Sequence, residues 1–503
     1  MIKARFSNLG LSHLWIITVI LGVFVFVNTQ PIRPHDFWWH LALGREIASS
    51  YAIPGFDVYS HIMGGTAYPS YQMFWLFDLT LYGIFNLGGP ALVVFVQSLM
   101  ITTTYGLLLW LSWKCSNSTR IAAFSVLIAI ALGLNNWNVR PQTISYLLGV
   151  LFLVAIYSFR ISGKKSWLLV MPFGMLIWVN SHGSFVIGLA FIGIWVGEEL
   201  WQMAVSRYCK INNKSKGNLW PSILSFGFTA LVCLVNPRGY GIITYLRTLI
   251  GDVTVQNLVP EWAPPSFDDI YGILFFSSFI LSAVVFAISP KRPSFFQLAT
   301  FVVFGILGLK TTRGVVWFGI VMAPILAAHI AELLNTYIQR KDNRIEKKGK
   351  PAVNWLFIGI LLLAVLVSLP WFKNKLPFPR NKAGLISSET PVKATEFLLA
   401  EQLPTEIFHE MGFGSYLIWA AYPDYQVFSD PRIELYPFET WWDYTAIGNA
   451  LDGWENLLDE YGIQTLMISL DSQAPLVAAL GESQGWILEY EDPAALIYTR
   501  KEH

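Results

Sequence analysis

The sequence predicts a polytopic α-helical membrane protein with a small α/β domain at its C-terminal end. Of its 503 residues, 54% are hydrophobic and only 13% charged, and the mean hydropathy is +0.48. No soluble chain of this length sustains that balance. Apolar runs of about 15–22 residues recur along positions 1–371, each near the length that crosses a hydrocarbon layer about 30 Å thick. Beyond Trp371 they give way to short alternating segments.

About 11 spans are expected, near residues 14–29, 91–112, 121–137, 142–159, 166–181, 184–203, 220–236, 271–289, 295–309, 314–335 and 354–371. The first follows Lys3 and Arg5 as a signal peptide would. It lacks a small-residue cleavage pattern and more spans follow, so it reads as an uncleaved anchor. Residues 73–87 are apolar enough to span, but they carry Asp78, and counting them would invert every later loop. They read as a helix lying in the outer interface, although the count could still rise by one or two.

With these spans, 19 of the 34 Lys and Arg fall on the side of the N-terminus, in Lys3 and Arg5 themselves and in the Lys114/Arg120, Arg160–Lys165, Arg207–Lys216, Lys291/Arg292 and 340–350 connections. The positive-inside rule then puts the N-terminus in the cytoplasm and the tail outside, in the inner (plasma) membrane of the cell. The net charge of +1 points to no nucleic-acid partner. Cys115, Cys209 and Cys233 lie in or beside the membrane portion, which argues against a disulfide framework.

The unusual polar residues collect on the outer rim. The first outer loop, 30–72, opens with Pro34-His-Asp-Phe-Trp-Trp-His40 and also holds Glu46 and Asp57. Later outer loops contain Asn138-Val-Arg140-Pro141-Gln142, Trp178-Val-Asn180-Ser-His182-Gly183, Asn236-Pro-Arg238-Gly239, Pro260-Glu261-Trp262 and Thr312-Arg313. Ionisable groups at membrane depth are costly and mark function by default. Plainer readings compete. Arg140 and Arg313 could snorkel to lipid phosphates, and Arg140-Pro141 and Asn236-Pro237 are also helix boundaries. The tryptophans Trp38, Trp39, Trp137, Trp178 and Trp262 could form an interfacial belt. His182 could be a satisfied core histidine, and Asp36 a helix cap.

Residues 372–503 read as a separate domain after a Gly/Pro/charge-rich linker at 373–380. Strand-like segments at 406–409, 425–428, 465–469, 486–490 and 496–498 interleave with helical patterns at 391–402, 440–461 and 474–484. Met411-Gly-Phe-Gly-Ser-Tyr416 reads as a Gly-rich turn without the spacing of a dinucleotide fingerprint. Asp430, Arg432, Glu434 and Tyr436 would suit either a carbohydrate edge or a salt-bridged surface strand.

Together these motifs resemble the GT-C superfamily of polyprenyl-phosphate-dependent glycosyltransferases. The pattern Asp36-x-Trp38-Trp39-His40-Leu-x-x-Gly44, then Arg140-Pro-Gln, Trp178-x-Asn180-x-His182-Gly, Asn236-Pro-x-Gly239, Glu261-Trp262 and Gly412-x-Gly414-x-Tyr416-Leu-Ile-Trp419 is similar to a group of bacterial membrane proteins. That group is related to protein O-mannosyltransferases and lipid A aminoarabinose transferases. The resemblance covers nearly the whole chain, which implies spans of residues 1–371 folded GT-C-like around an outer-face site.

The resemblance implies inverting transfer from a polyprenyl-phosphate-linked sugar to a glycan, lipid or protein acceptor, with Asp36 as the acid that takes the acceptor's proton. Arg313, Arg140 and Arg238 are the phosphate candidates, because guanidinium matches phosphate oxygens bidentately. His35, His40, Asp57, Asn180, His182, Glu261 and Trp262 are the candidates for the sugar and acceptor site. The related enzymes follow the first acid directly with a second, whereas Phe37 follows Asp36 here. Asp36 and His40, four apart on one helix face, could hold a divalent cation. Trp441-Trp-Asp-Tyr444 copies most of the oligosaccharyltransferase WWDYG signature, but Thr445 replaces its glycine. Two other readings stand beside the transferase: a polymerase or ligase of lipid-linked glycans resting on His182 and Arg238, and a non-enzymatic lipid-binding or assembly subunit.

Overall fold

The computed structural model describes residues 10–208, 218–251, 256, 258–337, 351–373, 375 and 384–501. Lys3, Arg5, Cys209, Lys210, Lys214, Lys216, the 340–350 cations and most of the expected 373–380 linker lie outside the described residues. Among the described residues, seven helices are long and apolar enough to cross a membrane: Leu11–Asn28, Tyr71–Ser116, Thr119–Asn136, Gln142–Ser162, Gly183–Tyr208, Ile270–Ile288 and Thr312–Tyr337. Shorter apolar helices occupy Lys165–Val179, Leu219–Val232, Phe295–Lys310 and Ala352–Ser368, where further spans are expected.

The expected interfacial segment 73–87 and the span after it are two arms of one interrupted helix, Tyr71–Ser116. The break falls at Gly88 (φ −156°) and Gly89 (φ +61°), directly before Pro90. Only glycine takes a positive φ there at little cost, and the proline removes a helical N–H at the same point.

The chain packs into two compact units, residues 1–29, 94–240 and 260–376 in the first, and 30–93, 241–259 and 377–503 in the second. In the first unit, Thr312–Tyr337 is apolar on nearly all faces and accordingly buried. Gly319 lets it approach the Thr119–Gly133 helix closely: a side-chain carbon at that position would meet Ala129 Cα at 3.2 Å. Trp317 stacks with Trp178 at 6.0 Å between ring centroids. At another point the buried Glu198 carboxylate ties three helices together, accepting from Arg160 Nη2 (3.3 Å), Gln202 Nε2 (2.7 Å) and Phe296 N (2.7 Å).

The second unit holds a four-stranded sheet in the order β1-β2-β4-β3, with β1 Ile407–His409, β2 Thr465–Ile468, β3 Trp486–Glu491 and β4 Leu496–Arg500. β1 and β2 run parallel, and the β2–β4 and β4–β3 pairs are antiparallel. Phe408, Phe428, Ile447, Leu458, Leu466 and Leu476 form the core beside it. The strand expected at 425–428 is not part of this sheet. Its Val427 instead pairs with the first loop, donating N–H to Tyr59 O (2.9 Å) and accepting from His61 N (2.9 Å). The long helix expected at 440–461 splits into Phe438–Gly448 and Trp454–Glu460, because Ala450 and Gly453 are left-handed (φ +48° and +88°). The expected Gly-rich turn at 411–416 begins a helix, Met411–Ala420, whose N-cap Glu410 accepts from Phe413 N at 3.1 Å.

Candidate active site

In the second unit Asp36 is the first residue of the helix Asp36–Ser50, not its cap; that position belongs to the exposed His35. An acid in the first turn suits the positive end of the helix dipole. The helix is held by Met411–Ala420: Trp39 N donates to Ser415 Oγ (3.1 Å), and Trp38 packs edge-on against Tyr416 at 4.9 Å. Gly44 lies against the Asp78 carbonyl, where a Cβ has no room. One turn after Asp36, His40 Nδ1 lies 2.6 Å from Asp78 Oδ1, both groups buried. One ring nitrogen of His40 is thus engaged by a carboxylate. Among the described residues no group of three or more His, Cys, Asp or Glu could hold a metal ion.

Asp57 is fully buried rather than open to an acceptor. It accepts from Ser60 N (2.8 Å), Tyr71 Oη (2.9 Å) and the Arg432 guanidinium. Arg432 in turn pairs with Asp430 (Nη2–Oδ2 2.6 Å), which also accepts from Tyr436 Oη at 2.5 Å. This corrects both readings of Asp430 and Arg432 as surface groups, since they are 0% and 1% exposed. Burial alone would raise the Asp430 carboxyl, but the Arg432 charge outweighs it and holds it below its ordinary value. Glu434 extends the network, accepting from Tyr68 Oη (2.8 Å) and Ser70 Oγ (2.9 Å), and Ser70 reaches Tyr245 at 3.0 Å.

In the first unit, Glu261 draws two arginines to one carboxylate: Arg140 Nη2 at 2.6 Å from Oε1, and Arg313 Nε at 2.7 Å from Oε2. Local chemistry places each partner. Thr143 N and Oγ1 both donate to Arg140 O (3.1 and 2.8 Å) at the start of the Gln142–Ser162 helix. Thr312 N and Oγ1 both donate to Ala263 O (2.9 and 3.0 Å), which pins the Glu261 turn beside Arg313. The Arg313 guanidinium sits 5.5 Å from the Trp262 ring centre. Burial pushes Glu261 up, but the two arginines overcome it and bring its carboxyl down to about 2. His182 is held down to about 3, first by burial and then by the Arg313 and Arg140 charges, so its imidazole is neutral. Its Nδ1 meets Ser184 Oγ (2.7 Å) and Ser145 Oγ (3.2 Å). Asn180 spends its amide on Leu176 O and Val235 O, both at 2.8 Å. Val235 leads into the turn in which Arg238 N donates to Asn236 Oδ1 at 2.8 Å.

Four of the five belt tryptophans are buried within the protein: Trp38, Trp39, Trp137 and Trp178 are all 5% exposed or less. The WWDY segment is also mostly structural. Trp441 Nε1 donates to Ile433 O (3.2 Å), Tyr444 Oη accepts from Met411 N (2.9 Å) and Asp443 accepts from Tyr461 Oη (2.7 Å). The reading from sequence did not single out Asp78 as a site residue. Its signal was there, an acid inside an apolar helix.

No protein-family model and no curated protein matches the sequence. Among solved structures, the chain is similar to the archaeal oligosaccharyltransferase AglB from Archaeoglobus fulgidus, solved with an inhibitory peptide and a dolichol-phosphate. Identity is 11%, the TM-score 0.55, and the match covers 97% of this chain and 74% of that one. It is also similar to ArnT from Cupriavidus metallidurans bound to undecaprenyl phosphate, at 14% identity and TM-score 0.47 over 96% and 97% of the two chains. The first of these likenesses establishes a shared fold.

Proposed function

We propose that this chain, a membrane protein with the GT-C fold, moves a sugar from a polyprenyl-phosphate donor to an acceptor at the extracytoplasmic membrane face. The observation that carries the reading is the pair of guanidinium groups, Arg140 and Arg313, oriented by one carboxylate at the helix ends of the first unit. The fold it sits on is that of AglB, whose structure holds a dolichol-phosphate. Glu261 neutralises one of the two positive charges and aims both groups, leaving a net positive site suited to a phosphate. Arg238 is assigned to the same task.

In the reaction, the acceptor oxygen attacks the anomeric carbon while the bond from that carbon to the phosphate oxygen breaks. Polyprenyl phosphate departs with the bonding pair, the configuration inverts, and the acceptor's proton passes to Asp36. The phosphate needs no proton if the arginines hold its charge. Trp262, beside Arg313, offers an aromatic face to the sugar, and His35 is exposed beside Asp36 for the acceptor. The partners of Asp57, Asn180 and His182 support bracing roles for all three, and this weakens the ligase reading, which needs His182. The Lys and Arg distribution supports an N-terminus in the cytoplasm of the inner membrane.

Native mass spectrometry of the protein in mild detergent tests the reading. A polyprenyl phosphate, bare or sugar-loaded, should stay bound to the wild type and be lost from Arg313→Ala. Only bulk phospholipid, retained in every arginine variant, overturns it. With the donor named, Asp36→Asn should abolish transfer while the protein still folds.

A further inference from the structure

A cavity of about 510 Å³ opens in the first unit at the connection between the apolar helices Ile270–Ile288 and Phe295–Lys310, and the transferase reading makes no use of it. Its size is that of a small-ligand site. Phe286, Ala287, Ser289, Pro290, Arg292 and Pro293 line it. The helix before it is long and apolar enough to cross a membrane, so the cavity lies at the level where hydrocarbon gives way to head groups. Exposed apolar side chains lead up to it. Ile280, Val284 and Ile288 form one strip, which ends between the lining residues Ala287 and Ser289. Leu298, Val302 and Ile306 form a second strip, which starts in the first turn of the next helix.

The lining offers one cation and otherwise acceptors. Arg292 is exposed, and no carboxylate among the described residues forms an ion pair with it. The hydrogen-bond roles behind Ser289 follow from one backbone group. Gln297 Oε1 accepts from Ser294 N (3.0 Å) in the capping box of the Phe295–Lys310 helix, which identifies that atom as the oxygen. His329 Nε2, 3.2 Å from the same oxygen, is therefore the protonated nitrogen. His329 is 1% exposed and neither of its hydrogen-bond partners is a carboxylate, so the ring is neutral and Nδ1 accepts from Ser289 Oγ at 2.8 Å. Ser289 N is spent on Val285 O (3.0 Å). The N–H groups of Phe286 and Ala287 belong to the helix, and Pro290 and Pro293 have none. Apart from Arg292, the lining thus brings oxygens and an aromatic ring.

We propose that this cavity binds the head group of a phospholipid ending in a primary ammonium, a phosphatidylethanolamine. The phosphate pairs with the Arg292 guanidinium. The ammonium donates to the Ser289 oxygens and meets the Phe286 ring. His329 makes the serine an acceptor by taking its hydrogen, and the acyl chains lie along the two apolar strips. A choline head group carries the charge but no N–H to donate, and a glycerol head group donates but carries no cation.

The test delipidates the full-length protein in mild detergent and offers it phosphatidylethanolamine, phosphatidylcholine and phosphatidylglycerol in equal amounts, with identical acyl chains. Native mass spectrometry then counts what stays bound. The wild type should retain phosphatidylethanolamine about tenfold over phosphatidylcholine, the factor that one hydrogen bond to a charged group supplies, and in preference to phosphatidylglycerol. Arg292→Ala removes the phosphate partner and Ala287→Trp fills the cavity, and each should abolish the preference. Both positions are exposed, so either variant can decide if the other fails to fold. Equal retention of the ethanolamine and choline lipids overturns the proposal. So does a preference for phosphatidylglycerol, which would make the bare charge of Lys291 and Arg292 the selector. An ethanolamine preference that survives both variants puts the binding elsewhere and overturns it as well.

Discussion

Replacing Arg432 by methionine removes a guanidinium that is 1% exposed and leaves two buried carboxylates, Asp57 and Asp430, without their cation. Breaking a buried pair from one side costs about 3–5 kcal/mol, because the surviving charge stays desolvated. Here two charges survive in one place. For a cooperative unit of about 200 residues, each kcal/mol moves the melting point by about 2–4 °C, so Arg432→Met should melt about 6–20 °C lower. Intrinsic fluorescence melting in detergent at neutral pH measures it. The triple variant that also carries Asp57→Asn and Asp430→Asn should regain most of the loss, since it removes the stranded charges. The acid dependence has a definite sign. Asp430 is depressed in the fold, so its contribution is complete above the unfolded value of about 3.9 and fades only as pH falls below that. In Arg432→Met only burial is left to act on the Asp430 carboxyl and raises it, so the deficit should be largest at neutral pH and shrink as the pH falls. A variant that melts within about 2 °C of wild type would refute the reasoning.

Gly44→Ala should destabilise by about 1–3 kcal/mol, because the added carbon meets the Asp78 carbonyl, and the same melting assay shows it. Trp441→Ala should cost about 3–5 kcal/mol by emptying a buried site. Trp442→Ala, at a residue 63% exposed, should stay within about 0.5 kcal/mol. Equal losses from these neighbours would contradict the assignment of the WWDY segment to the domain's own packing. His409 is fully buried, and burial holds it down to about 4. The unfolded chain takes up a proton below about 6.5 that the folded one refuses. Stability should thus fall by about 1.4 kcal/mol per pH unit from about 6.5 to about 4, and melting of His409→Asn should lose that slope.

Much of the membrane architecture was legible because an apolar run needs no distant partner to be recognised. The Gly88-Gly89-Pro90 break could also be read locally, although the choice between span and interface for 73–87 could not. Where the reading failed, the deciding contact was remote. Residues 425–428 have a strand's composition, but their pairing partner is the loop around Tyr59–His61. Asp430 and Arg432 looked like surface charges because nothing nearby in sequence announces Asp57, 375 positions from Arg432. Asp36 stood out by its neighbours, whereas Asp78 acquires meaning only when the Asp36–Ser50 helix crosses it. The cluster at Glu261 combined both cases: each residue was flagged alone, and only folding showed that one carboxylate serves two arginines.

The ion pair between Asp57 and Arg432 also sets a clock. Ribosomes extend a chain by roughly 5–20 residues per second, so a separation of 375 residues means that the arginine follows its partner by roughly 20–75 s. Throughout that interval the first loop carries an acid whose final environment has not been made. Nearly every apolar helix is synthesised before the group that closes the loop. A chain released after residue 376 would hold all the residues of the first unit and only part of the second, with Asp36 on a helix that still lacks its Met411–Ala420 support. The helix that carries the proposed base thus gains its Met411–Ala420 support only once the last quarter of the protein has been made.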